Sequence, residues 1–88
     1  MIADREFLIA FDALPVGGYG GTFEGRRYRI VKSQFSCARS QKLLAEELGG
    51  TDSVAFNLYR LASGEALLKP CEMSPAKVRA FVIGVTAD

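Results

Sequence analysis

Residues 53–72, Ser-Val-Ala-Phe-Asn-Leu-Tyr-Arg-Leu-Ala-Ser-Gly-Glu-Ala-Leu-Leu-Lys-Pro-Cys-Glu, read as two strands folded back on each other. Val54, Phe56, Leu58 and Arg60 alternate with Ala55, Asn57, Tyr59 and Leu61, the period of two expected when one sheet face is buried and the other is wetter. Ser63-Gly64 is a hairpin signal between two apolar runs. The return run, Glu65 to Lys69, stops at Pro70, whose missing N–H cannot serve an interior ladder. On the outer face, Asn57 and Tyr59 either floor a shallow groove or form the wet side of an antiparallel sheet.

The remaining segments are placed against this hairpin. Asp4 is a cap for a helix with apolar positions 7, 8, 11 and 14, although the alternation Phe7, Ile9, Phe11 also fits a strand; the cap favours helix, and Pro15 ends it. Gly17-Gly-Tyr-Gly-Gly21 reads as a flexible linker. It is not a phosphate loop, because no Lys-Ser or Lys-Thr closes it and no helix follows. Thr22–Phe35 reads as a short strand, a turn at Glu24-Gly25 and a longer strand. Tyr28 and Ile30 share one parity there and Val31 and Phe35 the other, which predicts a bulge near Ile30. Ser36 caps an expected helix over 37–48, with Leu44 and Leu48 inward, a Lys42–Glu46 outward pair and Gly49-Gly50 as its stop. Ser74-Pro75 starts a second helix whose Val78, Phe81, Val82 and Val85 lie on one face.

These elements predict a single small α+β domain, with a mostly antiparallel sheet in ββαββα order, helices on one face and an extra N-terminal helix. Residues 1–21 are expected to form an N-terminal segment with its glycine linker, and residues 22–88 the domain. At 88 residues, 49% apolar and 24% charged, the chain has the composition of an ordinary globular domain.

The formal net charge is only +1, which gives no whole-molecule argument for nucleic acid or an acidic membrane. The distribution is uneven. Between residues 22 and 42, Arg26, Arg27, Arg29, Lys32, Arg39 and Lys42 stand against the single acid Glu24. Arg26, Arg27, Arg29, Lys32 and Arg39 are therefore candidate contacts to nucleic acid or another anion, with Arg27 and Arg29 sharing a strand face. A solvated strand face that discourages edge pairing is the alternative. Asp4 and Glu6 stand where a secretory signal would be basic, and the apolar run at 7–11 is too short for a membrane span, so a cytoplasmic protein with no membrane partner is expected.

The chain has no histidine, which removes Ser-His and Cys-His pairs and histidine metal sites. Asp52, Glu65 and Glu72 would have to converge for carboxylate chemistry. Two cysteines are too few for a four-thiolate zinc site, and no cofactor or metal is expected. Cys37, at the first position of an expected helix and two residues from Arg39, has the setting of a lowered thiol pKa, and Cys71 occupies the matching strand end of the second half. The ordinary role of a free cysteine, a small buried hydrophobe, is the stronger reading for both.

The segments Phe23–Tyr28 (FEGRRY), Leu48–Asp52 (LGGTD), Phe56–Tyr59 (FNLY) and Leu68–Met73 (LKPCEM) together resemble a group of short uncharacterised bacterial proteins. Some of these are labelled peptide methionine sulfoxide reductase. The resemblance spans roughly residues 21–85 and implies a thiol enzyme in which Cys37 attacks and Cys71 resolves. The Gly-Cys-Phe-Trp loop of the A-type reductases is replaced here by Phe35-Ser-Cys-Ala-Arg39, and the Arg-x-Cys-x-Asn of the B type is absent. Two functions therefore stand as expectations: a non-catalytic binding or regulatory module for a protein or nucleic-acid partner, and a thiol redox protein using Cys37 and Cys71.

Overall fold

Asp4 opens a helix, as its cap position requires. Its Oδ1 accepts from the Phe7 amide at 2.8 Å, which satisfies one of the orphan N–H groups of the first turn. This helix, α1 (Arg5–Ala13), buries Phe7 and Phe11, and Leu14 closes it in extended backbone ahead of Pro15. The computed structural model describes residues 1–35, 37 and 39–88.

Five antiparallel strands follow in sequence: β1 (Gly17–Phe23), β2 (Arg26–Phe35), β3 (Ser40–Glu47), β4 (Ser53–Arg60) and β5 (Ala66–Pro70). A second helix, α2 (Pro75–Gly84), and a two-residue strand, β6 (Thr86–Ala87), complete the chain. The sheet order is β5-β4-β3-β2-β1-β6, so β6 returns to pair with β1. At the opposite edge, residues 1–3 run beside β5: Leu68 N–H donates to the Met1 carbonyl at 2.7 Å and Ala3 N–H to the Ala66 carbonyl at 2.8 Å. The α+β class holds, with both helices on one side of an antiparallel sheet. The expected ββαββα order is replaced by αβββββαβ.

Three local expectations are corrected. Gly17–Gly21 is the start of β1 and not a linker. Glycine is needed because other groups occupy the space a side chain would fill. A Cβ on Gly21 would lie 2.7 Å from Ile30 Cδ1 and 3.1 Å from the Thr86 carbonyl oxygen, and one on Gly20 would lie 2.7 Å from Asp88 Oδ2. Residues 1–21 thus build the same sheet and core as the rest of the chain.

Within the expected helix over 37–48, residues 40–47 form the central strand β3, while Ser36, its expected cap, and Ala38 lie outside the described residues. Ala45-Glu-Glu-Leu48 is a good helix-forming run, but β3 pairs along its length with β2 on one side and β4 on the other. That ladder outweighs local propensity. Leu43 and Ala45 take the buried face in strand alternation, and Gly49, at φ +77°, lies in the connection to β4.

The bulge near Ile30 is absent: β1 and β2 pair in unbroken register from Gly17–Lys32 to Phe23–Arg26. Tyr28, Ile30 and Lys32 face inward, which turns Val31 and Phe35 to the outer side. The hairpin of β4 and β5 and the start of α2 form where the sequence places them, with Ser74 Oγ accepting from Lys77 N–H at 3.2 Å.

The core lies between the helices and the inner sheet face. Phe56 sits against Phe7 and Phe11, with ring centroids 5.8 and 5.6 Å away, and fixes α1 on the sheet. Phe81 of α2 packs on Tyr28 and Phe23, each with centroids 5.1 Å away. Tyr28 is buried, yet its hydroxyl donates to Asp52 Oδ2 at 2.7 Å. Asp52 also accepts from Lys77 Nζ at 2.5 Å, which ties the β3–β4 connection to α2. Burial, reinforced by the Asp52 carboxylate, pushes the Tyr28 phenol up to about 12, while Lys77 and then Tyr28 hold Asp52 below its usual range.

Candidate functional site: the uncovered face of the sheet

The helices cover only one side of the sheet. Strand alternation sends a second set of side chains outward, and the register arranges them in cross-strand rows. One row reads Phe35, Ser40, Tyr59, Leu67 from β2 to β5, and the next reads Ser33, Lys42, Asn57, Lys69. Beyond it lie Val31, Leu44 and Ala55, followed by Arg29, Glu46 and Ser53. Phe35 and Tyr59 are 54% and 37% exposed, large values for aromatic residues in strands. Val31, Leu44 and Leu67 are half-buried by their neighbours alone. The face is thus a mixed aromatic, aliphatic and cationic surface with two carboxylates, Glu46 and, over Gly20 at the β1 side, Asp88.

The five basic residues singled out by the sequence separate. Arg29 is exposed on this face. Arg27 shares its strand face, but its guanidinium forks onto the Asp88 carboxylate and also donates to Thr22 Oγ1 at 2.9 Å. This pairing holds Asp88 below the usual carboxylate range. Arg26 has the opposite parity and approaches Glu47 at 3.7 Å. Arg39 is exposed in the turn leading into β3, its carbonyl accepting from Arg60 N–H.

Lys32 is not available to an external anion. It is 3% exposed, and its Nζ donates to the Phe11 and Leu14 carbonyls at 2.7 and 2.8 Å. These are carbonyls at the end of α1, where the dipole favours a cation; the Phe11 carbonyl also accepts from the Leu14 N–H at 3.1 Å. The ammonium also sits 4.0 Å from the Phe11 ring centre. Burial pulls its pKa down, against the opposing influence of Asp12.

The thiols are both exposed and far apart. Cys37 lies between β2 and β3 at φ +56°, past the Phe35–Ser40 row, and among the described residues no helix begins there to stabilise a thiolate. Cys71 follows β5, its N–H bonding the Ala55 carbonyl at 2.9 Å. The two rows are four residues apart along β4, ~13 Å, and the turn is about two strands further across, ~10 Å. A disulfide needs Cα atoms within about 7 Å, so this fold does not join them. Iodoacetamide is expected to alkylate both cysteines without denaturant, and diamide to give no intramolecular disulfide. Intact-mass analysis checks this, and a single native adduct or a 2 Da loss would contradict it.

The carboxylates Asp52 and Glu65 sit beyond opposite ends of β4, ~26 Å apart by its eight residues, and do not form a pair. Among the described residues no group of three or more Cys, Asp or Glu is placed to hold a metal ion. Among the same residues no helix is long and apolar enough to cross a membrane.

Phe35, Lys42 and Lys69 are not among the site residues that the sequence points to. The expected helix takes Lys42 out of the sheet, and the expected bulge separates Phe35 from Tyr28. The alternation of Gln41, Leu43 and Ala45 with Lys42, Leu44 and Glu46 carried the signal for β3. Comparison with protein-family models, with curated proteins and with solved structures finds no match, so neither fold nor function is supported by likeness.

Proposed function

We propose that the protein is a small binding module without catalytic chemistry, and that the uncovered face of its sheet is the contact surface. The observation that carries this reading is the five-strand outer face, on which exposed Phe35 and Tyr59 lie beside half-buried Val31, Leu44 and Leu67. Exposed aromatic side chains grouped with apolar neighbours are the usual composition of a contact surface and not of a solvated one. The two cysteines, held apart by β4, give no comparable support to a two-thiol cycle.

The test is site-specific photocrosslinking in cells expressing the protein. Benzoylphenylalanine at Tyr59 or Leu44 is expected to yield defined adducts. The same residue at Ile9, which is 61% exposed on α1, is expected to yield none. Adducts from Ile9 alone, or from neither side, would overturn the reading.

A further inference from the structure

The occupant of this face follows from its charge, and the inference rests on the contact-surface reading above. Most of the other cations have an acidic partner: Arg79 has Asp4 and Glu6, Lys77 has Asp52, Arg60 has Asp12, Arg26 has Glu47 and, on this same face, Arg27 has Asp88. Arg29, Lys42 and Lys69 differ. All three are exposed on the uncovered face, and none has a carboxylate within 4.0 Å among the described residues. Glu46 is the cross-strand neighbour of Arg29 but forms no ion pair with it. The protein is close to neutral as a whole, yet this face carries an excess of positive charge, Arg27, Arg29, Lys42 and Lys69 against Glu46 and Asp88.

That charge disfavours one occupant. A second copy docked face to face about a twofold axis would bring these cations towards the same cations of its partner, a like-charge arrangement that opposes association. The occupant must be polyanionic, and it must also use the rings. Lys42 and Lys69 flank Asn57 in one row, with Cα atoms ~10 Å apart across two strand spacings. Tyr59 stands two residues further along β4, ~7 Å from that row. Phe35 lies two strands away from Tyr59 in the same row, with the small Ser40 between them. Phosphates on the lysines place bases over the aromatic row, within reach of the Asn57 amide, which both donates and accepts. A duplex keeps its bases stacked inside and cannot use the rings.

We infer that the uncovered sheet face binds single-stranded nucleic acid, with Arg29, Lys42 and Lys69 on the phosphates and Tyr59 and Phe35 stacking on bases. The probes are fluorescein-labelled dT12 and rU12 and a 12-base-pair duplex, followed by anisotropy at 50 and 200 mM KCl, alongside sedimentation of the protein alone. Three phosphate contacts predict a salt slope near ~−2, so single-strand affinity falls about 20-fold across that range. The Lys42→Gln/Lys69→Gln variant is expected to flatten the slope to about one contact, and Tyr59→Ser to weaken binding roughly five- to hundred-fold at unchanged slope. These side chains are exposed, and far-ultraviolet circular dichroism verifies that the variants fold.

Tighter binding of the duplex, or salt-independent binding, would overturn the inference. So would binding unchanged by all three substitutions, which would also remove the face as the contact surface. No oligonucleotide binding, with self-association or Tyr59 crosslinks only to protein, would refute the nucleic-acid occupant and leave the contact-surface reading intact.

Discussion

A Phe56→Ala variant is expected to unfold on the order of 15–30 °C below the parent chain, and to be substantially unfolded at 37 °C. Phe56 is fully buried, and its ring is the element that α1 and the sheet share, through Phe7 and Phe11. Truncating a buried Phe costs about 3–5 kcal/mol in transfer and cavity terms. A domain of this length has roughly 4–13 kcal/mol in total, at 0.05–0.15 kcal/mol per residue. A single substitution therefore removes a large share. The hole cannot be filled from α1, because Phe7 and Phe11 are held by the helix cap at Asp4 and by Lys32 at its other end. Thermal melts followed by circular dichroism, with Ile9→Ala as an exposed control shifting by no more than a few degrees, check the prediction. A Phe56→Ala melt as close to the parent as the control's would mean that α1 does not depend on this contact.

Lys32→Met is expected to destabilise the fold by about 1–3 kcal/mol, although it removes a charge from the interior. Two terms oppose each other. Burying an ammonium is costly, which is the reason that burial pulls the Lys32 pKa down. Removing it leaves the Leu14 carbonyl without its donor, at about 1–3 kcal/mol for an unsatisfied buried group, while the Phe11 carbonyl keeps the Leu14 N–H. The second term is larger because the helix end also loses the cation that its dipole favours. Methionine keeps the length of the stem, so packing changes little.

The pH dependence separates the two terms. With a folded pKa below the unfolded value of about 10.4, the unfolded chain binds more protons as pH rises through the interval between them. Lys32 therefore contributes a stability that increases with pH in that window, and Lys32→Met should lack this increase. Urea titrations at pH 7 and at several alkaline values, parent against variant, measure it. A variant more stable than the parent at pH 7 would show that the desolvation cost dominates.

What could be read from the residues divides by the range of the interactions. The caps at Asp4 and Ser74, the Ser63-Gly64 turn and the alternation through β4 depend on neighbours within a few positions, and all were legible. The identity of β3 depends on β2 and β4 together, and a run such as Ala45-Glu-Glu-Leu48 taken alone favours helix. β1 was hidden for a related reason: its glycines make room for Asp88 and Thr86, which arrive from the far end of the chain. Lys32 belonged to the basic run by composition, and only the position of the α1 carboxyl end assigns it to the interior. Of the candidate face, Arg29, Asn57 and Tyr59 were visible. Lys42, Lys69 and Phe35 join it only once three strand registers are known.

The edges of the sheet bear on the order in which this chain folds. From β1 to β5 every strand pairs with its neighbour in sequence, so the register of the meander can propagate through short loops at low entropic cost. The two flanks are closed differently: β5 by residues 1–3, more than sixty positions away, and β1 by Thr86 and Ala87. These contacts pay the largest loop-closure entropy and form after the meander. Until they do, both outer ladders present unpaired N–H and C=O groups, and association between copies competes with folding during that interval.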